Sequence, residues 1–175
     1  PTPRTHLEVG LHLVASSVRR DPENPLNALK TTSRADYVYA RLEARTAGAD
    51  DALFLTTDGY LSEATSANLF VVRRGADAPE LATPSLGCAI LPGTTRDWLL
   101  RWGAAAGLRA TEGLLTTRDL TEADEAFLSS SVAGILPVTR YEGQPIGRGT
   151  PGPWTLRARA DREAFIRGDR TVESL

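Results

Sequence analysis

The stretch 59–70 constrains the fold of this chain more than any other, because it combines a turn signal with a break in an apolar pattern. Asp58-Gly59 stands between the apolar runs 52–55 and 69–72, and this dipeptide is the strongest short-range signal for a β-hairpin. Small polar residues and a single carboxylate, Glu63, fill the interval between the runs. A hairpin that only had to fold would not need this polar interruption, so the stretch is also a candidate functional site.

The rest of the sequence alternates predicted strands with predicted helices. Period-2 or short apolar runs, which are typical of strands, occupy 9–15, 80–83, 108–112, 125–128 and 134–138, with another short strand after a turn at 141–146. Helical spacing occupies about 32–47, 95–106 and 154–166, with a short helix or turn at 117–124. We expect Thr32 or Ser33 to cap the first helix and Gly48 to end it. Interleaved strands and helices predict one mixed α/β (α+β) domain over 1–175.

Composition excludes several classes of function. A chain of 175 residues with a net charge of −2 is long enough for one core and offers no basic surface for nucleic acid or anionic membranes. No apolar run approaches the roughly 20 residues of a membrane helix, and we see no secretory signal. Cys88 stands alone, which fits a reducing cytoplasm, and is interpreted as a small buried hydrophobe. His6 and His12 do not form a metal-ligand pattern, and His12 is interpreted as structural.

Lys30 is the only lysine in the chain. A lysine amine can form a Schiff base with an aldehyde cofactor once it loses its proton. The alternative is a surface lysine that survived in an arginine-rich composition, and composition alone favours that alternative. Glu63 is open to a similar choice between a functional carboxylate and a solvated glutamate beside a turn.

The segment 91–96 is a candidate anion site, because Gly93 allows close backbone approach and Thr94 and Thr95 stand where a helix begins. Free N–H groups and the positive end of the helix dipole attract phosphate at such a position. An ordinary threonine-capped helix is the alternative. Ser130 and Ser131 belong to a serine run that is either a loop or a set of donors for an anion.

Four motifs, in this order, resemble those of the class IV aminotransferases, the pyridoxal 5'-phosphate (PLP) enzymes of fold type IV. They are Lys30, the stretch 59–70, Ala89-Ile-Leu-Pro-Gly-Thr-Thr-Arg96, and Phe127-Leu-Ser-Ser-Ser131 followed by Leu136-Pro137-Val138. The resemblance runs from about residue 29 to residue 155. It implies the large cofactor-binding domain of these enzymes, a mixed sheet or pseudo-barrel with surrounding helices, with PLP as cofactor.

The resemblance also implies a role for each candidate residue. Lys30 would bind PLP covalently and carry the substrate proton, and Glu63 would pair with the pyridine nitrogen. Leu91 would pack on the cofactor ring. The remaining cofactor positions would be Ser66, Asn68, Gly93, Thr94, Thr95, Ser130 and Ser131. Arg34 and Ser131 would contact the substrate, an amino acid or a 2-oxo acid.

The chain departs from the family pattern in two places. Branched-chain members usually have a Gly-Asn-Tyr type sequence after the lysine, whereas this chain has Thr31-Thr-Ser-Arg34, and aminodeoxychorismate lyases tend to have an arginine there. The family's smaller N-terminal domain, which supplies an arginine to the phosphate, is expected to be absent. We therefore expect weak PLP binding unless Arg34 or Arg140 replaces that arginine. The resemblance favours amino-group transfer between an amino acid and a 2-oxo acid, with lyase chemistry or a PLP-binding domain without turnover as alternatives, and a cytoplasmic homodimer is the family expectation.

Overall fold

The computed structural model describes residues 4–169. Within them, nine strands form one sheet. The strands are β1 Leu11–Arg20, β2 Asp51–Thr56, β3 Leu61–Ala64, β4 Asn68–Arg73, β5 Glu80–Pro84, β6 Arg109–Gly113, β7 Glu125–Ser130, β8 Gly134–Tyr141 and β9 Gln144–Pro145. This architecture confirms the predicted mixed α/β fold class.

Five α-helices accompany the sheet in the described residues: α1 Arg4–Glu8, α2 Ala35–Thr46, α3 Thr94–Ala105, α4 Thr117–Thr121 and α5 Pro153–Arg167. Two short 3₁₀ helices lie at Pro25–Ala28 and Leu86–Cys88. The sequence pattern predicted α2, α3 and α5, left a short helix or a turn open where α4 lies, and did not predict α1. Across residues 4–169, none of the helices combines the length and the apolar character that a membrane span requires.

Six of the strands close into a ring. The order β3-β2-β1-β8-β7-β4 runs across the sheet, and a further pairing between β3 and β4 joins its two ends. β5 and β6 extend the sheet from β4, and β9 adds to β8. The closing contact is a single register pair, Glu63 opposite Asn68. The candidate carboxylate therefore lies where the ring closes.

Both faces of the central strands are buried, because the ring encloses one core and helices cover its outside. In β4, Leu69 and Val71 belong to the core inside the ring, whereas Phe70 and Val72 pack with α3 and α5. Alternate side chains of a strand point to opposite faces, which explains this division. Trp102 of α3 is fully buried in the outer core. A second outer core lies under α2.

The predicted hairpin between the apolar runs 52–55 and 69–72 is wrong, because the turn joins the first run to another strand. The turn at Asp58-Gly59 connects β2 to β3, and Gly59 has the positive φ of 87° that such a turn requires. The apolar run of β4 pairs along most of its length with β7 and β5 instead. Glu63 lies in β3, a strand that the sequence prediction left as a polar interval, because its polar side chains obscured the strand pattern.

The start of α2 also differs from the prediction. Arg34 is the N-cap residue and makes no side-chain capping bond, so neither Thr32 nor Ser33 caps the helix. The Thr31 hydroxyl instead donates to the carbonyl of Ser33, a local bond that competes with capping. The interpretation of His12 as structural agrees with its contacts, since its Nε2 accepts a hydrogen bond from the Gly143 N–H.

Glu80 connects three strands through its carboxylate. It accepts hydrogen bonds from Arg73 Nε on β4 at 2.6 Å and from Thr111 Oγ1 on β6 at 2.9 Å, and Arg109 Nη2 lies 3.1 Å away. Burial raises the pKa of this carboxyl, but the bonds from Arg73 and Thr111 outweigh burial and hold the pKa below its ordinary value. The ionised form is therefore the one that stabilises the fold.

We expect Glu80→Gln to lower the free energy of unfolding at pH 7 by about 1–2 kcal/mol, since a charged hydrogen-bond acceptor is lost. Because the folded pKa is depressed, the stabilisation is present above the unfolded pKa of about 4.3 and is lost as pH falls through the folded pKa. Urea unfolding at pH 7 and at pH 3 measures this, and the gap between variant and parent should shrink at pH 3. Glu163→Gln, which alters an exposed pair with Arg159, is the control. A gap that does not change with pH would contradict the assignment.

Candidate functional site

One cavity of about 810 Å³ gathers the candidate residues. It lies between α2, the β3–β4 turn, the start of α3 and the segment that joins β7 to β8. Eleven residues that the sequence proposed for the site line this cavity: Lys30, Arg34, Glu63, Ser66, Asn68, Leu91, Gly93, Thr94, Thr95, Ser130 and Ser131. Their proximity is a finding of the structure, whereas their individual roles stay predictions.

Lys30 lies in the loop between the first 3₁₀ helix and α2, and its side chain is exposed. Its amine makes no hydrogen bond or ion pair with any residue in the described part of the chain. Leu29, which precedes Lys30, also lines the cavity. An unpaired amine at the side of a cavity is available to a bound molecule, in contrast to a lysine already bound to a carboxylate.

Glu63 is buried, with only 4% of its surface exposed. Its Oε1 accepts a hydrogen bond from the Tyr37 hydroxyl at 3.0 Å and lies 3.7 Å from Nη2 of Arg20. Its Oε2 accepts from the Leu91 N–H at 3.0 Å and from the Asn68 amide at 3.3 Å. The surrounding groups thus hold the carboxylate in one orientation against the cavity.

Burial raises the pKa of Glu63 above its ordinary value. The Leu91 N–H, the positive charge of Arg20, the Tyr37 hydroxyl and the charge of Arg34 all act in the opposite direction, and burial outweighs them. A cationic partner in the cavity would compensate for the lost hydration of this carboxylate. The cavity therefore favours a ligand that presents a protonated nitrogen to Glu63.

The sheet register arranges three polar residues in one row. Glu63 of β3 lies opposite Asn68 of β4, which in turn lies opposite Ser129 of β7. The Asn68 amide also donates to the Leu91 carbonyl at 2.9 Å, so it ties this row to the segment that leads into α3. The floor of the cavity is consequently formed by rigid sheet backbone.

The start of α3 leaves hydrogen-bonding groups free for a ligand. Gly93 is its N-cap residue and supplies no side-chain bond. Thr95 lines the cavity, and its buried hydroxyl makes no hydrogen bond within residues 4–169. A Cβ added to Gly93 would lie 2.2 Å from Asn68 Oδ1, so only glycine fits between α3 and the row on the sheet. Uncapped N–H groups at a helix start form an anion site.

The serine run forms the opposite side of the cavity. The Ser129 hydroxyl is buried and makes no hydrogen bond within the described chain. Ser130 Oγ accepts from the Ala133 N–H and shapes the turn to β8, whereas Ser131 is exposed. A buried polar atom without a partner is costly, so a ligand bonded to Ser129 and Thr95 would remove a penalty at both positions.

Two arginines of the α2 region hold the turn between β3 and β4. Arg34 Nη2 donates to the Thr65 carbonyl at 2.7 Å, and its guanidinium lies 3.7 Å from the Tyr37 ring centroid. Arg41 Nη2 donates to Thr65 Oγ1 at 2.7 Å and, at 3.4 Å, to Ser66 Oγ. These bonds fix the turn that carries Ser66 and give the cavity a positively charged side.

Sequence reasoning missed four contributors: Arg20, Tyr37, Arg41 and the Ser129 hydroxyl. No motif marks the first three, because they meet Glu63 and Thr65 only when the fold brings β1 and α2 near β3. Ser129 could have been included from its strand position. Arg140, which we considered as a substitute phosphate ligand, is wrong for that role, because it is exposed on β8 and does not line the cavity.

A sequence profile of the family described as Amino-transferase class IV matches residues 1–141. The branched-chain-amino-acid aminotransferase of Escherichia coli K12 is 35% identical to this chain over 156 residues, which are 86% of this chain and 48% of the relative. The chain spans about half the length of the curated relatives it matches.

Solved structures agree with this match. A branched-chain amino acid aminotransferase of T.th., solved with pyridoxamine 5'-phosphate, has a TM-score of 0.83 and 31% identity, and the match covers 99% of this chain and 56% of that one. A protein of Legionella pneumophila, named as a candidate 4-amino-4-deoxychorismate lyase, has a TM-score of 0.78 and 30% identity over 91% of this chain and 55% of that one. This chain therefore belongs to the class IV aminotransferase family.

Proposed function

We propose that this protein uses PLP to transfer an amino group between an amino acid and a 2-oxo acid. The observation that carries the proposal is the arrangement of three groups in one cavity. The only lysine of the chain, a buried carboxylate and an uncapped helix start line it together. These groups match the aldehyde, the pyridine nitrogen and the phosphate of PLP, respectively.

The residues present fit PLP. The T.th. relative was solved with pyridoxamine 5'-phosphate, the amino form of the same cofactor. Within residues 4–169 the hydroxyls of Thr95 and Ser129 have no hydrogen-bond partner and no side chain caps the helix start at Gly93, so hydroxyl and N–H donors are available to a phosphate. Burial raises the pKa of Glu63 despite the charges of Arg20 and Arg34, so a protonated ligand nitrogen beside this carboxylate would offset part of its lost hydration.

Each group of the chain has a defined task in this proposal. When bound, PLP withdraws electrons from the substrate carbon so that this carbon can lose its proton. Lys30 would hold the cofactor through its aldehyde, and the freed amine would take up the substrate proton and return it at another position. Glu63 accepts the hydrogen bond of the protonated ring nitrogen. Thr94, Thr95 and Ser130 bind phosphate, and Leu91 packs on the ring.

The substrate side of the cavity is the positively charged one. Arg34 and Ser131 are proposed to bind the substrate carboxylate, with Arg41 and Ser66 nearby. Because relatives of this chain are named branched-chain-amino-acid aminotransferases, branched-chain amino acids are the first donors to test. A lyase that eliminates pyruvate from aminodeoxychorismate is the second candidate, favoured by Arg34 and by the likeness to the Legionella protein. Product formation without an added 2-oxo acid would identify the lyase.

The proposal extends to the assembly. Since the chain spans about half of its relatives, we propose that residues 1–175 correspond to the cofactor-binding domain and that a smaller domain completes the active site. We further propose a homodimer in the cytoplasm. A PLP-binding domain without turnover is the remaining alternative, and it would bind cofactor while forming no product with any donor.

We expect the protein mixed with PLP to absorb in the visible range and to retain the cofactor covalently after borohydride reduction. Mass spectrometry of the digest should find the added mass on the peptide that contains Lys30, with the N-terminal amine as the one other site to monitor. Lys30→Arg keeps the charge but forms no stable Schiff base, so it is the matched control and should show no internal adduct. Cofactor that binds without any adduct on the Lys30 peptide would overturn the assignment.

A further inference from the structure

We propose that Arg20 is a positioning residue that keeps Glu63 ionised, so that a proton shared with a cofactor nitrogen stays on that nitrogen. The inference rests on the proposed pairing of Glu63 with PLP, and it assigns a task to a residue that does not line the cavity. Arg20 is the last residue of β1 and only 4% of its surface is exposed. It reaches Glu63 from behind the cavity floor.

Two carboxylates, Glu63 and Asp36, lie against the Arg20 guanidinium. Nη2 lies 3.7 Å from Glu63 Oε1, and Nη1 lies 3.4 Å from Asp36 Oδ2, a carboxylate whose side chain is 40% exposed. The guanidinium lies over the rings of Tyr37 and Phe54, at 4.8 Å and 5.4 Å from their centroids. Its Nε is buried and makes no hydrogen bond within residues 4–169. An arginine buried among rings interacts strongly with a carboxylate at this distance.

The charge of Arg20 decides between two arrangements of one proton. Burial favours the neutral form of Glu63. A neutral carboxylic acid would donate a hydrogen bond to the ring nitrogen and keep the proton, so the nitrogen would stay uncharged. A fixed positive charge behind the carboxylate favours the anion instead, which leaves the proton on the nitrogen. The Tyr37 hydroxyl, the Leu91 N–H and the Asn68 amide support the anion through hydrogen bonds.

All charged and titratable groups that face Glu63 must be considered in a pH experiment. Arg20 faces it from β1, and Tyr37 and Arg34 face it from α2. Asp36 of α2 competes for Arg20. Burial, followed by the charge of Glu63, raises the pKa of Tyr37 above its ordinary value, so its hydroxyl keeps its proton over the range in which the carboxyl titrates.

The test uses the protein without cofactor, with glutamate carboxyl groups labelled with ¹³C and the Glu63 signal assigned by its loss in Glu63→Gln. We expect Arg20→Met, which keeps the volume, to move the Glu63 titration midpoint upward by about one to three pH units. Arg20→Lys, which keeps the charge, should leave the midpoint much closer to that of the parent. In binding measurements at pH 7, Arg20→Met should weaken PLP binding at least tenfold and Arg20→Lys by less.

A second variant keeps the test decisive if Arg20→Met does not fold. Asp36→Asn changes a partly exposed side chain and frees Arg20 for Glu63, so the Glu63 midpoint should fall. Asp36→Asn added to Arg20→Lys should also lower the Glu63 midpoint, because the positive charge at position 20 remains. Midpoints that do not move in any of these variants would overturn the proposal. Shifted midpoints together with no PLP on Lys30 would leave the role of Arg20 intact and overturn the proposed function instead.

Discussion

Glu63→Gln is expected to slow amino-group transfer about 100-fold, the loss typical of removing one preorganised electrostatic group from an active site. Glutamine keeps the size of the side chain but cannot balance the charge of a protonated ring nitrogen. The fold should survive, because the Tyr37 hydroxyl can rotate and accept a hydrogen bond from the new amide. Single-turnover absorbance changes of the PLP form with an amino acid measure the rate.

Glu80→Gln is the matched control for this experiment, since it neutralises another buried carboxylate that lies outside the cavity. That control should lose stability while its transfer rate stays near that of the parent. Equal transfer rates in Glu63→Gln and the parent would reduce Glu63 to a structural carboxylate.

Gly93→Ala should weaken PLP binding by about ten- to a hundredfold, a loss of about 1.4–2.8 kcal/mol in binding free energy. The new Cβ would lie 2.2 Å from Asn68 Oδ1, so either α3 or the Asn68 amide must move. Moving the amide breaks its bonds to the Leu91 carbonyl and to Glu63. Moving the helix displaces the N–H groups proposed to bind phosphate. Fluorescence titration of the protein with PLP measures the change.

Gly87→Ala controls for the loss of a glycine near the same site. A Cβ at Gly87 meets nothing closer than Ser85 Oγ at 3.6 Å, an ordinary van der Waals contact. Its PLP affinity should match that of the parent. If Gly93→Ala also binds PLP as tightly as the parent, the contact between α3 and Asn68 is not needed for cofactor binding.

The sequence predicted most elements of the fold, because their signals are local. Apolar runs predicted β4, β7 and β8, and the spacing of Trp98, Leu99 and Trp102 predicted α3. β3 was missed because two of its four residues, Ser62 and Glu63, are polar and yet buried. Their burial depends on the Ala89 carbonyl and the Leu91 N–H, which lie far along the chain.

The candidate site was predictable to the same degree and for the same reason. Motifs contiguous in sequence identified Lys30, Glu63 and the start of α3, and the structure brings them to one cavity. Arg20 could not be identified, since it lies 43 residues from Glu63 in sequence and meets it only through the pairing of β1 with β2 and of β2 with β3. A residue that acts through tertiary placement leaves no local pattern.

The row formed by Glu63, Asn68 and Ser129 has a fixed spacing. Neighbouring strands of a sheet lie about 4.8 Å apart, whatever their side chains, so the separation of these groups is set by hydrogen-bonded backbone. A substitution can change the side chain at one of these three positions, but it does not change the distance between the strands that hold them. A one-residue insertion in β4 would instead turn Asn68 to the opposite face. We therefore expect insertions to be tolerated in the loop 74–79 and rejected within Asn68–Arg73.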